Sequence, residues 1–177
     1  MNNKLFIVLI SLLVLTGLIG FSITLFSKEL DIVNLGQTMF HFGFMIGAIL
    51  GGIMLLVNGT FVKTKYFRFA KGFFSIVIIG ALIRIMHWSS YANILISLGL
   101  IGIMTSYFVS FLKKPIKKRL DYLKLTWVIV SYTLVILSLL HLIKKEYTNF
   151  GSYLLWLTIL DFIVVQVKSK PLLNPKN

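Results

Sequence analysis

The chain has no cysteine. Disulfides, thiolate metal sites and cysteine nucleophiles are therefore excluded. Its three prolines, Pro115, Pro171 and Pro175, all lie outside the apolar runs, so proline gives no support to the kinked or broken helices of transporter folds. Acid is scarce, with five Asp and Glu in 177 residues, and charged residues of all kinds make up 13%. A soluble domain carries about 25% charge and 45–50% apolar residues; here the hydrophobic share is 58%. There is no acid pair within an apolar run, no nucleophile elbow, no glycine loop that cradles phosphate ahead of a helix, and no H-E-x-x-H pair. No catalytic constellation is present, and the expectation is a non-enzymatic protein with no implied metal or cofactor.

What the sequence does have is six long apolar runs. They are predicted as helices over about 5–26, 35–57, 72–88, 92–112, 125–143 and 151–167. Each is near the ~20 residues that cross a hydrocarbon core. The runs are continuous and do not alternate, which argues against a barrel. The first is longer than a signal-peptide core and no small-x-small site follows it, so it reads as a retained helix. The fold class is all-α, a polytopic membrane protein with a bundle of six transmembrane helices, readable as three hairpins in one transmembrane domain over 1–177. The second run carries Gly43, Gly47 and Gly51 at four-residue spacing, a pattern that lets helix backbones approach closely in lipid.

The net charge of +13 would suggest nucleic acid in a soluble chain, but here the basic residues sit in short links and set topology. No nucleic-acid partner is expected; the bilayer is the partner. With the N-terminus inside, the inner segments hold Lys4; Lys63, Lys65, Arg68 and Lys71; Lys113, Lys114, Lys117, Lys118, Arg119 and Lys124; and Lys168, Lys170 and Lys176. The outer segments hold only Lys28, Lys144 and Lys145. Fourteen against three predicts both termini on the cytoplasmic side. The basic inner links are also candidates for anionic lipid headgroups.

This topology places chemistry-bearing residues by depth. His41, His87 and His141 all fall near the outer leaflet, with Arg84 one turn deeper than His87 and Trp88 beside it. Those histidines are the candidate cofactor-binding residues, for haem or a quinone, of an alternative redox or ligand-binding reading. The bland reading is that His, Trp and Arg favour the interface anyway. Asp161 is the only acid inside a predicted span, about ten residues into the sixth and close to its middle. A lone carboxylate there costs roughly 3 kcal/mol on insertion scales, so it is expected to be protonated, paired or near water. Arg84 is the natural charged partner, though by depth it sits nearer the outer surface. A proton- or ion-coupled transporter is a further alternative, resting on Asp161 alone.

The string Val77-Ile78-Ile79-Gly80-Ala81-Leu82-Ile83-Arg84-Ile85-Met86-His87-Trp88 resembles the N-terminal membrane hairpin of the GldL family, inner-membrane subunits of the gliding and type IX secretion motor of Bacteroidetes-type bacteria. The resemblance covers 72–112. It implies a subunit that assembles with other membrane proteins in a bacterial inner membrane, and it marks Arg84, His87 and Trp88 as a hairpin-shaping cluster. Two departures matter. Ser89-Ser90 stands where the family has a proline-glycine turn, and the region around Gly99 to Met104 has no acid where the family carries a membrane glutamate. The proton-driving role implied by that glutamate does not carry over. The expected function is an accessory or assembly subunit.

Overall fold

The computed structural model describes residues 3–169, so the tail lysines Lys170 and Lys176 lie outside the described residues. The described residues form six helices joined by short links, with no strand among them: α1 (Asn3–Phe26), α2 (Leu30–Val57), α3 (Tyr66–Ile85), α4 (Ser89–Leu112), α5 (Arg119–Leu139) and α6 (Asn149–Ser169). Single 3₁₀ turns at Phe61–Lys63 and Lys145–Thr148 precede α3 and α6. All six helices are long and apolar enough to cross a membrane.

The chain divides into two compact units, Met1–Asn58 with Ile163–Asn177, and Gly59–Phe162. In the first unit, α1 and α2 form a close antiparallel hairpin. The glycines make that closeness possible. A β-carbon built on Gly20 would stand 2.5 Å from the carbonyl oxygen of Gly36, and one on Gly43 would stand 2.5 Å from that of Leu13. The small residues of α2 thus serve packing within the chain, at Gly36 and Gly43, against the matching glycines of α1. Asn3 and Asn58 close the open end of the hairpin with two reciprocal amide bonds of 2.9 and 3.0 Å.

In the second unit, α3 and α4 form the other close antiparallel pair. Gly80 lies against Ile96 and Ala92, and Gly99 against Phe73 and Val77. α5 runs along α4 more loosely, with Phe111 against Tyr122 at one end and Asn93 against the last turn of α5 at the other. α6 meets α5 where Gly151 abuts Ser131. Because Ser131 is eight residues short of the end of α5, Gly151, the third residue of α6, stands about 12 Å below that end at 1.5 Å per residue. The whole of α6 is therefore shifted toward the basic link between α4 and α5.

Helix boundaries differ from the periodicity-based ranges at identifiable places. α3 begins at Tyr66, six residues early, in a basic turn where Lys71 stacks over the Phe67 ring. α5 begins at Arg119, also six early, because Asp121 accepts a bond from the Lys118 N–H (2.8 Å) and so satisfies a free amide of the first turn. α3 and α5 stop sooner than expected, at Ile85 and Leu139, for the reason given next.

Candidate functional site

The two ends of the second unit carry its polar chemistry. At one end, α3 and α5 terminate in the same way. His87 and His141 have φ of 65° and 59°, the left-handed region that non-glycine residues visit rarely and histidine more often than most. The His87 N–H donates to the Arg84 carbonyl (3.1 Å) and the Trp88 N–H to that of Ile83 (3.4 Å). The His141 N–H donates to the Ser138 carbonyl (3.1 Å) and the Leu142 N–H to that of Leu137 (2.9 Å). Each is a Schellman motif, in which a residue of positive φ turns the chain and occupies the last free carbonyls of the helix. The position usually held by glycine is held here by histidine, twice. The recurring six-residue strings Ile83–Trp88 and Leu137–Leu142, each with histidine fifth, were the available sequence signal for these two stops.

The two histidines face different recesses. His87 lines an open one of about 640 Å³ with Ile83, Trp88 and Tyr91. His141 lines another of about 710 Å³ with Arg84, Asn93, Lys144 and Lys145. His41 belongs to α2 in the first unit, exposed, its ring edge-on to Phe40 at 5.4 Å. Among the described residues no three His, Asp or Glu side chains are grouped to hold a metal ion. His87 and His141 thus open onto separate recesses of one unit, and His41 belongs to the other. Arg84 and Trp88 are exposed on the surface of the unit.

The opposite end is built around the link between α4 and α5. Lys114 Nζ donates to Asp121 Oδ1 at 2.7 Å. Arg119 Nη2 donates to Asp161 Oδ1. The Asp161 side chain is 8% exposed and that of Arg119 82%. Lys124 is buried, its Nζ 6.0 Å from the centre of the Phe162 ring. Asp161, close to the middle of α6, thus stands level with the first turn of α5, and its partner is Arg119 where sequence reasoning pointed to Arg84. The shifted register of α6 is the physical reason: counting residues along α6 from its start assumes that it begins level with the end of α5. Asp161 lines neither recess.

The fold and these ends define a multi-pass, all-helical membrane protein. Within it, residues 73–126 match the family model described as the GldL N-terminal domain. The match takes in the α3–α4 pair expected from the Ile-Met-His-Trp string, and continues through the basic link into the start of α5. No curated protein and no solved structure matches the chain.

Proposed function

We propose that the chain is a non-enzymatic accessory or assembly subunit of a bacterial inner-membrane complex related to gliding motility or type IX secretion. The observation that carries this reading is the coincidence of the GldL N-terminal match with a structural unit. Residues 73–126 span the tight α3–α4 pair, the basic link and the first turns of α5, so the resemblance falls on a packed element and not on scattered apolar similarity. In this reading both termini are cytoplasmic, and the link from Lys113 to Arg119 lies on the cytoplasmic face against anionic lipid headgroups.

The role is assembly and not proton-driven work. α4 carries neither Asp nor Glu, and its buried polar residues are Ser97 and Ser106. The one deeply buried carboxylate, Asp161, is engaged by Arg119 at the basic end. Groups of this kind fix helix register, which suits a subunit whose outer surface must present a constant shape to neighbours. Exposed apolar side chains such as Ile78, Leu82 and Ile94 line the α3–α4 surface, available to lipid or to a partner helix.

The test is affinity purification of the full chain in mild detergent, with an optical spectrum of the same sample. Recovery of membrane proteins in fixed ratio, with no visible chromophore, is the expected result. A chain that elutes alone with a haem band overturns the proposal.

A further inference from the structure

The recess at the histidine end plays no part in the assembly reading. Its rim carries Arg84, His141, Lys144 and Lys145, and no carboxylate is among its lining residues; Glu146, in the same link, does not line it. Guanidinium and ammonium groups gathered without a counter-charge form a site for an oxyanion. An independent feature points to a ligand as well. Asn93 lines the same recess and its Nδ2 donates to the Leu139 carbonyl at 3.0 Å, but its Oδ1 is sealed from solvent and has no hydrogen-bond partner. A buried acceptor left unpaired carries its full desolvation penalty. A ligand that offers an anion to the rim and, as the Asn93 side chain turns toward the recess, an O–H or N–H to its Oδ1 answers both features.

Location selects the ligand further. The recess opens where α3 and α5 end, and helices of about 20 residues end where the hydrocarbon core gives way to headgroups. Val135 and Leu139 continue from its lining into the apolar span of α5, and neighbouring Leu142 is 67% exposed. Arg84 is the next-to-last residue of α3, placed for the snorkelling geometry that pairs a long cation with a lipid phosphate. We infer that this recess binds the headgroup of an anionic phospholipid of the phosphatidylglycerol type. The phosphodiester lies among Arg84, Lys144 and Lys145, the Asn93 side chain turns to accept at Oδ1 from a headgroup hydroxyl, and an acyl chain runs along Val135 and Leu139.

The test is native mass spectrometry of the full chain in detergent, titrated with dioleoylphosphatidylglycerol or dioleoylphosphatidylcholine. The wild-type chain is expected to prefer the glycerol lipid by about fivefold or more, since each nearby Lys or Arg contributes roughly that factor toward an anionic headgroup. The triple variant R84Q/K144Q/K145Q should lose at least about tenfold in affinity and the preference with it. Lys28→Gln, in the α1–α2 link and outside the lining of the recess, should change binding less than about twofold. Asn93→Asp, isosteric but anionic, should weaken the glycerol lipid and spare the choline lipid. Helicity by circular dichroism confirms that each variant is folded; should the triple variant misfold, Lys145→Gln alone in the exposed link should lower affinity measurably. Equal binding of both lipids, or a folded triple variant that keeps full affinity, overturns the site. Complete displacement of the lipid by an equal concentration of glycerol 1-phosphate assigns the same chemistry to a soluble anion and overturns the lipid occupant.

Discussion

Removing Arg119 should harm the protein through Asp161 and through little else. In the structure the guanidinium holds Asp161 Oδ1 while Oδ2 has no hydrogen-bond partner, and the carboxylate is 8% exposed. Breaking a fully buried pair by deleting one partner costs about 3–5 kcal/mol, because the other charge stays buried and uncompensated. Arg119 is 82% exposed, so water screens the pair and that figure must be discounted. The expectation for Arg119→Gln is therefore about 2 kcal/mol. With Asp161→Asn already present there is no buried charge to abandon, and the same Arg119→Gln change should cost less than about 0.5 kcal/mol. The coupling in the double-mutant cycle is then about 1.5 kcal/mol. Reversible unfolding in mixed micelles, titrated with a denaturing detergent, measures it. A parallel cycle with Arg84→Gln should give additive effects, since Arg84 lines a recess that Asp161 does not touch. If Arg119 and Asp161 prove additive, or if Arg84 and Asp161 couple more strongly, the shifted register of α6 is refuted.

Other outcomes follow from the same packing. Gly20→Leu or Gly43→Leu should separate α1 from α2 and cost roughly 2–3 kcal/mol by overpacking, whereas Gly52→Leu, with open space around its α-carbon, should cost little; the same unfolding assay separates them. His87→Gly and His141→Gly should leave stability unchanged or raise it by up to about 1 kcal/mol, because glycine adopts the left-handed cap without strain, while valine at either position should destabilise by about 1–2 kcal/mol. Loss of stability on His→Gly would mean that the imidazoles themselves hold something. Green fluorescent protein inserted in the link at Lys117 should fluoresce, and alkaline phosphatase inserted at Lys144 should be active; the reverse pattern would invert the proposed topology.

Hydropathy and charge carried the sequence reading far for a simple reason. Burial in lipid is decided one residue at a time, so six spans, an all-helical class and a basic-side bias are written locally. The Ile-Met-His-Trp string was likewise local, and it led to the α3–α4 pair that the family model matches. Even the helix stops at His87 and His141 are local, a six-residue motif read too far because histidine stood where glycine is the usual signal.

What the linear chain left open were relations between helices. Nothing in the spacing of α6 fixes how far it slides along α5, and that slide is what brings Asp161 to Arg119 and away from Arg84. Nothing in α2 tells which of its glycines meet a neighbouring backbone; Gly36 and Gly43 do so because Gly20 and Gly17 lie opposite. Arg84, Asn93 and Lys144 come from three elements, and only tertiary packing gathers them around one recess. The sequence by itself determined that the chain holds six membrane-spanning helices and roughly which segments form them, since transfer free energy is a sum over residues. Tertiary structure alone decided which polar groups meet there, since helix rotation and axial offset are set by side-chain packing between segments far apart in the chain.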